Sequence, residues 1–108
     1  MQTVTRETAQ KMKEKGWVKE THFTHRLFGN TWVLVRPGTP NLPDGKDIPA
    51  ATPSELLEEI EFRNLIAFYE DHETISFKWD EFAFWLYTTM RDPDALARVW
   101  LRKEAQND

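Results

Sequence analysis

Apolar side chains recur along this chain at spacings that change from one segment to the next. In "MQTVTRETAQKMKEKGW", Ala9 and Met12 fall on one helical face while Arg6, Lys11, Lys13 and Lys15 fall on the other, which predicts an amphipathic first helix. Thr5 is its expected N-cap, with Val4 placed to staple against Ala9. Gly16 supplies the left-handed residue that ends a helix, and Trp17 is placed to fold back onto Met12.

The spacing then shortens. "VKETHFTHRLFGNTWVLVR" reads as a hairpin turning at Gly29-Asn30, a pair suited to a primed two-residue turn. Phe23 and Leu27 share one face of its first strand, with Glu20, His22, Thr24 and Arg26 on the other. The second strand, "WVLV", is apolar on both faces and is expected at the centre of the sheet. Residues 37–50, "PGTPNLPDGKDIPA", hold four prolines and two glycines, and a loop without regular structure is expected there.

"TPSELLEEI" opens a second helix. Thr52 caps it, Pro53 takes its first position, Glu55 closes a capping box, and Leu56, Leu57 and Ile60 form its inner stripe. Glu55, Glu58 and Glu59 are expected on its outer side. In "LIAFYEDHETISFKW", Ile75, Phe77 and Trp79 alternate with Thr74, Ser76 and Lys78, which predicts a second hairpin turning at Asp71-His72. Asp80 is the expected cap of a third helix in which Phe82, Leu86, Met90 and Ala83 face the core. Phe84 and Tyr87 point to its far side and Trp85 to a flank. Asp92-Pro93 restarts a fourth helix with Leu96, Val99 and Trp100 inside. The expected fold is a single α+β domain over residues 1–108, ordered α-β-β-α-β-β-α-α, with a sheet of about four strands.

Composition narrows the chemistry. With 40% hydrophobic and 30% charged residues, 108 in all, the chain is suited to one folded domain. Cysteine is absent, so neither a disulfide nor a thiolate metal site can form. The longest apolar run is "FAFWLY", far short of the roughly 20 residues that span a bilayer. The N-terminal stretch also lacks the apolar centre of a secretory signal. A cytoplasmic protein with no membrane association is expected.

No glycine-rich phosphate loop, serine elbow, H-E-x-x-H pattern or calcium loop occurs in the chain. His22 and His25 are three apart and would point to opposite faces of a strand, which argues against shared metal coordination. "EDHE" (Glu70 to Glu73) reads as a solvated turn. No catalytic residue, metal ligand or cofactor is expected. Lys11, Lys13, Lys15 and Lys19 surround Trp17, but the net charge of −4 and the structural task of Trp17 argue against direct nucleic-acid binding.

Charge is unevenly spread. Residues 1–36 hold seven Lys/Arg and three Asp/Glu, whereas residues 55–81 hold nine Asp/Glu and two Lys/Arg. Two solvated, mutually attracting faces explain this. A sharper alternative offers Glu58, Glu59 and Glu61 to the basic groove of a host nucleic-acid enzyme. A small hydrolase or metal-dependent enzyme is a further alternative. The leading expectation is a non-enzymatic protein that binds a partner protein or itself, with Phe84 or Trp85 in the contact. The third helix has more apolar sides than the core and the fourth helix can cover.

Three phrases, "TRETAQKMKEKGW", "ATPSELLEEI" and "DPDALARVWL", resemble small uncharacterised α+β proteins of tailed bacteriophages, prophages and gut-bacterial mobile elements. These open with a TA-x-x-L-K-E-x-G-F/W helix, carry a P-T/S-x-x-E-L-L-E-x-L helix and often close with A-L-A-x-x-W-L. Met12 stands where they usually have leucine, and Ile60 ends the second motif. The resemblance covers three helices and implies a phage or mobile-element origin and work in the bacterial cytoplasm. It carries over no catalytic or binding residue.

Overall fold

The computed structural model describes residues 2–36 and 47–106. Its elements follow in the order α1 (Arg6–Glu14), β1 (Phe23–Phe28), β2 (Thr31–Val35), β3 (Ile48–Ala50), α2 (Pro53–Glu59), α3 (Phe62–His72), α4 (Trp79–Thr89) and α5 (Pro93–Gln106). The fold is α+β. Among the described residues its antiparallel sheet has three strands, and the segment expected to form a second hairpin is instead α3 and the connection from it to α4.

Helix α1 starts and stops where its caps dictate. The Thr5 hydroxyl accepts from the Thr8 N–H at 3.4 Å, and Ala9 and Met12 are buried. At the other end Gly16 adopts φ 101°, and the Trp17 N–H turns back to the Met12 carbonyl at 3.0 Å. The Trp17 indole then packs edge-on against Trp100 of α5, with ring centroids 5.2 Å apart. Asp94, in the first turn of α5, accepts the Thr5 N–H at 2.9 Å. The first and last helices are thus joined at both ends of α1.

Strands β1 and β2 pair through the Gly29-Asn30 turn, closing on Phe28 opposite Thr31. Gly29 has φ 60°, as the first position of a type II′ turn requires. The strand order is β2-β1-β3, so β1 is central and β2 lies outside, the reverse of the sequence expectation. The reason lies in how β1 satisfies its polar side chains. Buried His25 places Nε2 2.9 Å from the Val4 carbonyl oxygen, and Arg26 donates to both carboxylate oxygens of Asp47 at 3.0 and 2.8 Å. Val33 and Leu34 of β2 are instead exposed.

The expected loop at 37–50 lies outside the described residues over 37–46, and its end is the strand β3. Pro49 pairs with Thr24 there. An outer strand tolerates a residue without an N–H, which a central strand does not.

Helix α2 has the complete capping box. The Thr52 hydroxyl accepts from the Glu55 N–H, and the Glu55 carboxylate accepts from the Thr52 N–H at 2.9 Å. Its second oxygen takes the His22 N–H at 3.0 Å. Glu55 is therefore buried, not on the outer side of the helix. Leu56 and Ile60 are buried and Leu57 is half-buried.

Helix α3 occupies the place of the expected third strand. Leu65 and Tyr69 form a buried stripe four residues apart, with half-buried Phe68 beside it. Ile75 lies exposed in the connection to α4. Phe77 in the same connection leans on Tyr69 with ring centroids 5.8 Å apart. Asp92 starts α5 by accepting the Asp94 N–H at 3.0 Å and the Ala95 N–H at 3.3 Å. Helix α5 touches all four other helices, and its Leu96, Ala97, Val99 and Trp100 are buried in the core. Each fully buried side chain such as Leu56 or Leu96 contributes about 1.5–3 kcal/mol of burial energy. Among the described residues, no helix is long and apolar enough to cross a membrane.

Candidate functional site

Helix α4 is eleven residues long and is held by the rest of the protein along one side only. It begins without a side-chain cap at Lys78, so Asp80 is not the cap that the sequence predicts. Asp80 and Glu81 lie instead in its first turn, where carboxylates are favoured by the helix dipole.

Phe82 and Thr89 are buried, and Trp85 and Leu86 are half-buried. These four positions fall on one side of a 3.6-residue helix. Phe82 is 2% exposed and is ringed by aromatic neighbours. Tyr69, Phe77, Phe62, Trp85 and Trp79 have ring centroids 5.4, 5.5, 5.9, 5.9 and 6.0 Å from it. Several of these pairs meet edge-to-face, the arrangement that ring quadrupoles favour.

Trp85 belongs to this cluster. It stacks on Phe82 and lies 5.2 Å from Tyr69 and 6.1 Å from Phe68. Met90 and Ala83, expected in the core, are exposed. The inner face therefore turns from the predicted 82-86-90 line toward 82-85-86-89, because α3 supplies an aromatic wall there and not a β-sheet.

The outer face carries Asp80, Phe84 and Tyr87, and Arg91 continues the i, i+4, i+7 and i+11 spacing from the turn just past the end of the helix. Phe84 is 72% exposed and Tyr87 is 56% exposed. Helix α5 touches α4 but leaves both of these rings uncovered. The Arg91 guanidinium lies 4.2 Å from the Tyr87 ring centroid, within cation–π range. Beside Phe84 an open groove runs between α4 and the end of α3, lined by Tyr69, Glu73, Asp80, Glu81 and Trp85. Its floor is aromatic and its rim is acidic. Sequence reasoning singled out Phe84 but not Asp80 or Arg91; the four-three-four spacing was the available signal.

The acidic candidates lie elsewhere and are engaged within the chain. Lys19 makes ion pairs with Glu58 and, at 3.5 Å, with Glu59. Hydrogen bonding to Glu58, opposed by desolvation and aided by the charges of both carboxylates, raises the Lys19 pKa. That contribution is present below the ordinary lysine value and is lost only as pH rises through the raised one. Glu61 pairs with Arg63, and Asp71 pairs with Arg102 at 2.7 Å. The basic first third and the acidic middle thus meet each other through Lys19.

His25 is turned to Val4, His72 lies against the Phe68 ring at 4.7 Å, and the "EDHE" run spans the C-terminal end of α3. Among the described residues, no group of three or more His, Asp or Glu side chains is placed to hold a metal ion. No protein-family model, curated protein or solved structure matches the chain.

Proposed function

We propose that this chain is a non-enzymatic binding protein, of phage or mobile-element type, whose working surface is the outer face of α4. The observation that supports this reading is the contrast between Phe82, 2% exposed, and Phe84, 72% exposed, on opposite sides of one helix. Phe84 and Tyr87 make a ridge of aromatic surface that the described residues leave open to solvent. Such rings cost solubility unless a partner covers them. Aromatic residues bracketed by charge also match the composition of the centres of protein interfaces.

The acidic-surface reading has less support. Glu58 and Glu59 already share Lys19, and Glu61 has Arg63, so a basic partner would have to displace cations of the chain itself. Affinity capture from a bacterial lysate with three baits separates the two readings. Wild type and the Glu58→Lys/Glu59→Lys/Glu61→Lys chain are expected to retain the same protein, and Phe84→Ser/Tyr87→Ser to lose it. Loss with the glutamate triple alone would favour the acidic surface. Capture that ignores both changes would remove the proposed role of α4.

A further inference from the structure

We infer that the outer face of α4 docks onto the same face of a second copy, the two helices running antiparallel about a two-fold axis. The inference rests on the binding role of α4 and names its occupant. Asp80, Phe84, Tyr87 and Arg91 follow the four-three-four spacing of a coiled-coil seam. In an antiparallel pair centred between Trp85 and Leu86, each residue faces the one whose number completes the same sum. Phe84 then meets Tyr87 of the other copy, and Asp80 meets Arg91.

The face is therefore complementary to itself, as a two-fold interface requires. Small Ala83 faces Thr88 in the same register, leaving room for the helices to approach. Among the described residues Asp80 and Arg91 form no ion pair within the chain. The incoming Arg91 would enter the groove that Glu73, Asp80 and Glu81 rim. A parallel pairing offers none of this, because it sets arginine against arginine and aspartate against aspartate. Three turns of helix extend only about 16 Å, short of what a lasting interface needs. A weak dimer is expected, with Kd on the order of 100 μM.

Sedimentation velocity of the full chain from about 10 μM to 1 mM tests this directly. Wild type is expected to pass from monomer to dimer. Asp80→Arg alone places like charges across the contact, as does Arg91→Asp alone, and each is expected to weaken association about tenfold or more. An equimolar mixture of the two variants restores opposite charges at both ends. It is expected to form a heterodimer within about threefold of the wild-type affinity. Circular dichroism reports whether each variant is folded. If either is not, Phe84→Asp at its exposed position takes its place and is expected to abolish the dimer.

A wild type that remains monomeric at 1 mM overturns the inference, and so does a dimer that none of these variants weakens. Variants that each weaken association but fail to restore it on mixing overturn the antiparallel register. A monomeric wild type that still captures another protein through Phe84 overturns only the second copy as occupant. The binding role of α4 would then stand.

Discussion

The Trp17 N–H lies 3.0 Å from the Met12 carbonyl oxygen, across a glycine held at φ 101°. That one hydrogen bond ends α1 and delivers the Trp17 ring to Trp100. A Cβ at residue 16 would meet no atom within 4 Å, so the cost of a side chain there is backbone strain alone. Gly16→Ala is expected to destabilise by about 1 kcal/mol. Urea unfolding measures it; an unchanged midpoint would show that α1 does not depend on this cap.

The Thr52–Glu55 capping box gives a second, larger effect. Thr52→Ala removes one acceptor and is expected to cost about 1 kcal/mol. Glu55→Ala strands the backbone N–H groups of both Thr52 and His22. It is expected to cost about 2 kcal/mol or more. Equal costs for the two variants would contradict the link from α2 to the start of β1.

Arg26 is 3% exposed and forms a two-pronged ion pair with Asp47. Removing one partner of such a pair leaves a buried charge. Asp47→Ala is expected to destabilise by about 2–3 kcal/mol. Replacing both residues with apolar side chains should cost less than that single change. Equilibrium denaturation of the two variants decides, and a double change costing more than the single one would contradict this account of β1.

How far these features were legible in the sequence depended on the kind of signal. Caps and turns carry their own geometry, and Thr5, Gly16, Gly29, the Thr52–Glu55 box and Asp92 marked their elements correctly, whereas the expected Asp80 cap and Asp71-His72 turn did not. Strand order and burial depend on distant partners. The apolar faces of "WVLV" pointed to β2 as the central strand, whereas β1 is central. Its His25 and Arg26 are satisfied by Val4 and Asp47, which cannot be seen beside them in the sequence. Pro49 hid β3 for the complementary reason, since an outer strand needs no N–H there.

The failure at 65–79 has a different origin. Aromatic residues favour strands locally, and Ile75, Phe77 and Trp79 alternate by coincidence of a loop with a helix start. Leu65 and Tyr69, four apart, carried the helical signal that prevails. Of the candidate site residues, Phe84 is on the open face, whereas Trp85 is turned inward by its place beside Phe82.

The two faces of α4 should separate cleanly in stability. Phe82→Ala removes the centre of the aromatic cluster and is expected to cost about 3–5 kcal/mol. Phe84→Ser touches an exposed position and is expected to change stability by less than about 0.5 kcal/mol. Thermal melting followed by circular dichroism compares them. A large loss at Phe84 would mean that its ring is part of the core.

The central claim is that this chain works by binding through the outer face of α4, and site-specific photocrosslinking in bacterial cells tests it most directly. A photoreactive amino acid is placed at residue 84 in one chain and at residue 58 in another, and the adducts are resolved by mass. The account predicts a discrete adduct from residue 84, at twice the mass of the chain if the partner is a second copy, and none from residue 58. An adduct from residue 58 with none from residue 84 would contradict it.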